Sequence, residues 1–261
     1  MLTDLARSLR FYSRLPVPIL PWECDPHAPP DFPGMARVLP IAGAVIGLVP
    51  ALVLVAALHL GLGPLLTAAL AIAALTLATG AFHEDGLADT ADGCGGGTTP
   101  ERKLAIMKDS RIGSFGGAAL SLSFILRVAA LAALADRLEP AAAAGAVVLA
   151  ATLSRTGALI LLVVLPPARV EGSSYAVGRL APRNFLPAGA SALALALALG
   201  LPLGLPLPGL LLAIALPVAA ALGLSRLSAR MIGGQTGDVA GAAQQAGEVS
   251  AMLGLLIAVR P

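Results

Sequence analysis

Acidic side chains are concentrated in one short part of this sequence. Six of its 15 acidic residues lie between positions 84 and 109, and long apolar segments flank them on both sides. Three of them, Asp85, Asp89 and Asp92, have the spacing i, i+4, i+7, which places them on one face of a helix. Carboxylates held so closely repel one another, and a divalent cation removes that repulsion. Oxygen-only ligands suit Mg²⁺, which takes one or two carboxylates and leaves sites for phosphate oxygens, so we predict a magnesium site formed by these aspartates.

A solvated polar helix face is the alternative for this cluster. Such a face usually mixes positive and negative charges, whereas no Lys or Arg stands four residues from any of the three aspartates. Glu84 lies off the shared face and is a weaker candidate.

A second group of polar residues follows a glycine run, Gly93–Gly97, which we interpret as a flexible connection. Thr99 and Pro100 predict the start of a short helix, as cap and first-turn residue. That helix leads into a segment with cations, a hydroxyl and exposed backbone amides, which together suit phosphate binding. The candidate residues of this segment are Lys108, Asp109, Ser110 and Arg111.

A third polar segment, GGQTGD at 233–238, opens the last apolar stretch. Gln235 and Thr236 offer side-chain donors, and Asp238 is either a helix cap or a further metal ligand. Within apolar segments, Arg127, Arg155 and Glu248 carry charges that are costly in a membrane unless they pair or contact a ligand. We expect Glu248 to pair with one of these arginines or to line a cavity, and we count Arg155 as a candidate substrate-binding residue.

The elements that must position these residues are long apolar helices. Charged residues make up 12% of the 261 residues, whereas a soluble domain has about 25%. We therefore predict an all-α fold: a polytopic membrane bundle of about seven transmembrane helices, forming a single membrane domain over residues 1–261. The fifth and sixth are short enough to be tilted or re-entrant. The predicted spans are 36–60, 65–82, 115–135, 141–165, 185–201, 209–224 and 239–259.

The basic residues predict the orientation of these spans. With seven crossings, most of the 17 Lys and Arg residues fall on one side, and positive charge marks the cytoplasmic side. The N-terminal segment 1–34 and the acidic, Gly-rich segment 83–114 are therefore predicted to be cytoplasmic. Residues 2–12 suit an interfacial helix on membrane lipid. Cys24 and Cys94 are predicted to be free thiols, and nothing resembles a face that binds nucleic acid.

Four sequence blocks carry a resemblance to a known family. The blocks are FYSRLPVP (11–18), HEDGLADTADG (83–93), MKDSRIG (107–113) and GGQTGD (233–238), and they extend along the whole chain. Together they resemble cobalamin synthase, the adenosylcobinamide-GDP ribazoletransferase family. Two positions depart from the family pattern: Ser13 stands where Thr is usual, and Glu84 where the residue is often apolar, so Glu84 is given no core role.

The resemblance implies an inner-membrane enzyme that joins α-ribazole, or its 5′-phosphate, to adenosylcobinamide-GDP and releases GMP, with Mg²⁺. On that basis Asp85, Asp89 and Asp92 would hold the Mg²⁺ that binds the GDP diphosphate. Lys108, Arg111 and Arg14 would contact phosphate oxygens. Asp238 and Asp109 are the alternatives for the base that activates the ribazole hydroxyl. A homo-oligomer is left open.

Three other functions were weighed. A CDP-alcohol phosphotransferase also places aspartates at a membrane surface, but the segment Asp85–Thr90 lacks the Ala-Arg of that motif. A transporter fits the charges within spans, but its coupling carboxylates usually lie near the bilayer midplane. A scaffold for other cobalamin enzymes explains neither the acidic face nor the glycine-rich segments.

Overall fold

A computed structural model describes residues 1–23, 31–109, 111–170, 175 and 177–259 of the chain. Within these residues the named elements are ten α-helices, which confirms the all-α prediction. The helices are α1 (Leu2–Tyr12), α2 (Phe32–His59), α3 (Pro64–Thr79), α4 (Phe82–Gly96), α5 (Pro100–Ile106), α6 (Ser114–Arg137), α7 (Pro140–Val164), α8 (Pro182–Gly200), α9 (Leu207–Ile232) and α10 (Gly237–Ala258). Cys24 lies outside the described residues, and Cys94 is a free thiol.

Seven helices match the predicted spans in position, and proline or glycine marks most of their boundaries. Four of them, α2, α6, α7 and α9, are long and apolar enough to cross a membrane, and the bent pair α3–α4 provides a fifth candidate. The chain is therefore a membrane-type helical bundle. The count of seven crossings stays a prediction, because α8 and α10 are not among these candidates.

The sixth predicted span was placed too short. The prediction ends it at residue 224 and leaves Arg226 and Arg230 in the connection to the seventh span, but α9 continues to Ile232 and is 26 residues long. Both arginines therefore belong to the last turns of a helix rather than to a loop. Cations at the C-terminal end of a helix interact favourably with its dipole.

Helix α7 forms the centre of the bundle, since most of its side chains are buried. Helix α2 packs against it through Gly43 and Gly47. A Cβ atom on Gly43 would lie 2.9 Å from the carbonyl oxygen of Ala151, and one on Gly47 would lie 3.0 Å from the Cα of Val148. The GxxxG pattern in α2 is therefore a close-packing surface.

Several polar segments meet at one end of the bundle. The backbone N–H of Arg14 donates to the carbonyl of Ala78, and Gln235 forms a short parallel bridge with Pro167. At the other end, the Arg137 side chain donates to the carbonyl of Val259. The bundle thus gathers the N-terminal segment, the acidic segment and the start of α10 on the same side.

Candidate active site

The acidic residues are carried by a helix that turns sharply away from α3. Gly80 and Ala81 both have left-handed backbone conformations, with φ of 64° and 57°, and the axes of α3 and α4 differ by 89°. The aspartates therefore lie on a helix of their own, α4, and not on a straight continuation of the second predicted span. Left-handed φ is unfavourable for alanine, so the surrounding structure must hold the bend in place.

Arg14 lies against this bend. Its backbone N–H donates to the carbonyl of Ala78 at 2.7 Å, and its side chain covers Gly80, where a Cβ atom would lie 2.6 Å from Nε. The guanidinium group is exposed and remains a predicted phosphate contact.

Glycine residues bring α4 against the start of α10. A Cβ atom on Gly86 would lie 2.8 Å from the carbonyl oxygen of Asp238, and one on Gly241 would lie 3.3 Å from the Cα of Gly86. Backbone contact of this kind is possible only without side chains at both positions. The crossing places Asp85 and Asp89 beside Asp238.

The pKa of Asp89 is raised to about 7, which reflects its surroundings. Burial contributes most to this rise in pKa, and the negative charges of Asp85, Asp238 and Asp92 follow, while Arg169 opposes it. Burial also raises the pKa of Asp238, and Arg169 and a hydrogen bond from Thr236 limit that rise. Three of these carboxylates, Asp85, Asp89 and Asp238, therefore form a cluster in which negative charge is not fully compensated.

Asp92 points toward a different partner. One of its carboxylate oxygens accepts from the N–H of Gly113 at 2.7 Å, and the other accepts from the N–H of Gly116 at 2.8 Å. These amides belong to the first turn of α6, whose free N–H groups need acceptors. Asp92 therefore ties α4 to α6, and its assignment as a metal ligand stays a prediction that these contacts do not favour.

Asp238 has a cationic neighbour that sequence reasoning missed. Arg169 forms an ion pair with Asp238 at 3.3 Å and donates to the carbonyl of Leu104 at 3.2 Å. It thus connects the acidic cluster to α5. Nothing in the linear order of residues places Arg169 near the aspartates, so sequence alone shows it only as one of the basic residues that indicate membrane orientation.

The cap of α10 is Thr236 rather than Asp238. The Thr236 hydroxyl accepts from the N–H of Val239 at 3.2 Å and donates to the Asp238 carboxylate at 3.2 Å. Asp238 lies in the first turn, where a negative charge is favourable. Gln235 is fully buried beside the bridge to Pro167.

The predicted phosphate segment is at the surface. Thr99 caps α5 as expected, by accepting from the N–H of Arg102. Arg111 pairs with Asp109 at 2.5 Å, and its hydrogen bonds lower the pKa of that carboxyl to about 2. Lys108 is exposed, and Ser110 lies outside the described residues. The glycine run before α5 is not a loop, because α4 extends to Gly96.

A buried ionic network lies deeper in the bundle. Arg127 is fully buried and donates to Glu84 at 2.9 Å and to Glu248 at 3.3 Å. The expected pairing of Glu248 with an arginine is confirmed. Glu84, to which we gave no core role, has a structural one, because its carboxylate anchors the start of α4 to α6. Glu84 lies in the first turn of a segment that looks amphipathic, and nothing in the sequence indicates that its carboxylate is buried.

The part of the chain that the structure describes contains no group of three or more His, Cys, Asp or Glu side chains already arranged to hold a metal ion. The carboxylates of the acidic cluster are neighbours at the start of two helices, and their mutual repulsion is the property that a divalent cation would relieve.

Fold and site together define a membrane-type helical bundle with an acidic cluster at one end. The model of the cobalamin-5-phosphate synthase family, CobS, matches residues 4–256, and the chain belongs to this family. No solved structure matches the chain.

Curated relatives match over nearly their whole length. A protein of Azorhizobium caulinodans is 49% identical over 263 residues, covering 100% of this chain and 98% of the relative. One of Xanthobacter autotrophicus is 48% identical, covering 97% and 96%, and one of Sinorhizobium medicae is 44% identical, covering 98% and 97%. Each of the three is called adenosylcobinamide-GDP ribazoletransferase.

Proposed function

We propose that this protein is an adenosylcobinamide-GDP ribazoletransferase. It would join α-ribazole, or its 5′-phosphate, to adenosylcobinamide-GDP and release GMP, which completes the lower loop of cobalamin. Family membership and the name of its relatives support this reaction. The observation that carries it in the structure is the convergence of Asp85, Asp89 and Asp238 at one end of an apolar bundle.

The reaction replaces a phosphoanhydride bond by a phosphate ester bond. A ribose hydroxyl of α-ribazole, one that is free whether or not the 5′ position is phosphorylated, loses its proton and forms a bond to the phosphorus that bears the cobinamide. The bond from that phosphorus to the bridging oxygen breaks, and GMP leaves with the electron pair. Negative charge grows on the bridging oxygen and spreads over the transferred phosphoryl group, so nearby positive charge accelerates the step.

Mg²⁺ fits the acidic cluster by the chemistry of its donors. Asp85 and Asp89 would hold it, since hard carboxylate oxygens suit this ion, and burial together with the neighbouring negative charges raises the pKa of Asp89. When bound, the ion would supply positive charge to the diphosphate oxygens. Asp92 would act by keeping α4 and α6 together, through its two hydrogen bonds to backbone amides.

Cationic side chains around the cluster would bind the remaining phosphate oxygens. Arg14, Lys108 and Arg111 are exposed at this end of the bundle. Arg169 would hold Asp238 in place through their ion pair. Arg111 would have to exchange Asp109 for phosphate, which is feasible because the pair is exposed to water.

A base must take the proton of the attacking ribose hydroxyl, whichever acceptor is used. Asp109 is a weak base because Arg111 lowers its pKa to about 2. Burial raises the pKa of Asp238, so we assign the base role to Asp238, with Asp85 and Asp89 left to hold the ion.

The proposed location is the cell inner membrane, with the acidic cluster facing the cytoplasm. The excess of Lys and Arg in the segments that share an end with the cluster supports this orientation.

One assay tests the reaction and its metal. Purified protein in detergent or nanodiscs is mixed with adenosylcobinamide-GDP and α-ribazole, and GMP and the corrinoid product are measured with and without EDTA. We expect equal amounts of both products, loss of turnover with EDTA, and recovery on adding excess Mg²⁺. Turnover that persists in EDTA would refute the metal, and absence of GMP under all conditions would refute the function.

A further inference from the structure

An aromatic cavity lies next to the acidic cluster, between α1, α2, α4, α7 and the start of α10. It contains about 780 Å³ of unfilled space, including its open mouth. Rings form one side of it: Tyr12 and His83 lie parallel with centroids 6.1 Å apart, and Phe11 meets Phe82 edge to face at 5.6 Å. These rings already pack against one another, so a ligand would contact their surface and would not insert between them.

Two buried polar atoms in the lining lack partners. Arg155 is 2% exposed and Gln235 is 0% exposed, and both line the cavity. Among the described residues, no group bonds to Arg155 Nε or to Gln235 Oε1. The other ends of these side chains are fixed, because Arg155 donates to the Ala151 carbonyl at 2.9 Å and Gln235 donates to the Gly178 carbonyl at 3.4 Å.

A buried donor and a buried acceptor without partners are unfavourable, and a ligand that supplies the complementary groups relieves both. The walls are otherwise mostly apolar and aromatic. A flat heteroaromatic ring with one acceptor nitrogen, attached to a group that carries a hydroxyl, meets these requirements.

The cavity shares a wall with the helix that carries Asp238. Gly237 and Gly241 of α10 form part of its lining, and Asp238 lies between them in the chain. Gly241 also packs close to Gly86, on the helix that carries Asp85 and Asp89. The carboxylates are not part of the lining, but a ligand against this wall lies within a few residues of them along both helices.

We propose that this cavity binds the ribazole acceptor with its benzimidazole base inward. The Nε–H of Arg155 donates to the unsubstituted ring nitrogen, and a ribose hydroxyl donates to Gln235 Oε1. The ribose hydroxyl that attacks then lies at the cavity mouth, toward the start of α10. This inference rests on the proposed function and adds which of the two substrates enters the bundle; the much larger corrinoid stays outside this cavity.

The first test changes the acceptor and the protein together. Binding of α-ribazole and of its indole analogue, in which the ring nitrogen is replaced by C–H, is measured by equilibrium dialysis with the full-length wild type and with Arg155→Met. We expect the wild type to prefer α-ribazole by about ten-fold or more, since a charge-assisted hydrogen bond is lost with the analogue. Arg155→Met should bind both equally. An unchanged preference in the variant would overturn the assignment, even if both affinities fall.

The second test fills the cavity. Ala36 of α2 lines it, whereas Ala56 of the same helix is exposed, so Ala36→Leu and Ala56→Leu make a matched pair. Ala36→Leu should raise the KM for α-ribazole about ten-fold or more, with the KM for adenosylcobinamide-GDP unchanged. Ala56→Leu should alter neither. A rise in the donor KM alone, or no change in the acceptor KM, would contradict the proposal.

Wild-type turnover separates this inference from the proposed function. A wild type that forms product while both tests fail would refute only the position of the base. A wild type that releases no GMP would refute the reaction itself, whereas selective binding of α-ribazole by such a protein would still support the cavity.

Discussion

Gly86 and Gly241 bring the backbones of α4 and α10 into contact, with only 3.3 Å between the Cα of Gly86 and a Cβ placed on Gly241. This contact sets the separation between two helices that carry the acidic cluster. The site therefore depends on residues that have no functional groups.

Replacing Gly86 with Ala should lower activity sharply without removing any charge. The new methyl group would meet the Asp238 carbonyl oxygen at 2.8 Å, so α4 must move away from α10. Overpacking of this kind costs about 1–3 kcal/mol and here displaces Asp85 and Asp89 from Asp238. The measurement is the rate of GMP release at increasing Mg²⁺.

Gly223→Ala is the control for this prediction. Gly223 also lies within a helix, but a Cβ atom there would meet nothing within 4 Å. Equal loss of activity in both variants would mean that the α4–α10 contact is not what matters.

Asp89→Asn should reduce turnover by about 100-fold or more while the protein remains inserted in the membrane and folded. The substitution removes a ligand charge at the centre of the cluster, where electrostatic stabilisation of the transition state is greatest. Asp136→Asn removes a charge at the exposed far end of α6 and should be neutral. Near-normal turnover of Asp89→Asn at saturating Mg²⁺ would exclude the metal assignment.

The stability of the metal-free protein should fall as the pH rises from about 4 to about 7. The folded pKa of Asp89 is about 7, above the ordinary value of 3.8, so the folded state holds a proton that the unfolded chain has lost in this interval. Stability decreases with pH wherever the folded state binds more protons. Above the folded pKa the charged cluster is least stable, and Mg²⁺ should then restore stability.

Apparent melting temperatures in EDTA at pH 5.5 and pH 8 measure this effect, and the wild type should melt at the lower temperature at pH 8. The difference between the two melting temperatures should be smaller in Asp89→Asn, because residue 89 cannot ionise in that variant. A wild type with a higher melting temperature at pH 8 than at pH 5.5, together with an unchanged difference in the variant, would show that Asp89 is not the group responsible.

Arg127→Met should destabilise the protein by about 3–5 kcal/mol, because Glu84 and Glu248 would lose their shared cation. Adding Glu84→Gln should recover part of this loss, since one buried charge is then removed. Thermal unfolding of the single and double variants provides the comparison. A double variant no more stable than Arg127→Met would argue against the ionic network.

Cysteine labelling tests the orientation. In a variant with Cys24 and Cys94 changed to Ser, Glu101→Cys and Glu139→Cys place single thiols on exposed positions before and after α6. A helix of 24 residues is about 36 Å long, enough to separate them across a bilayer. A membrane-impermeant maleimide applied to intact cells should label residue 139 and not 101. The opposite pattern would place the acidic cluster outside.

The positions of the long helices could be predicted from sequence, because apolar runs interrupted by proline and glycine leave few alternatives in a membrane. The 89° turn could not, since it depends on a left-handed Ala81, a conformation that alanine itself disfavours. The turn places α4 against α10 and thereby brings Asp238 to aspartates about 150 positions earlier in the chain.

Part of the chemistry of the site could also be predicted from sequence, because some of its residues are close together in the chain. The spacing of Asp85 and Asp89 is local, so their common helix could be inferred. The partners of Asp92, Glu84 and Arg169 lie on helices far away in the sequence. The residues next to these three in the chain therefore give no indication of the contacts. The residue type of Asp92 predicts a metal ligand, whereas in the structure its carboxylate accepts hydrogen bonds from two backbone amides.

The segment after α1 has a structural role, although Arg14 is exposed. The Arg14 side chain lies over Gly80 and its N–H donates to the carbonyl of Ala78, so the N-terminal segment stabilises the bend between α3 and α4. During synthesis this segment emerges first, but it cannot make these contacts until residue 80 has been added. A shortened chain that begins after residue 14 would thus insert its long helices and still leave the aspartates misdirected.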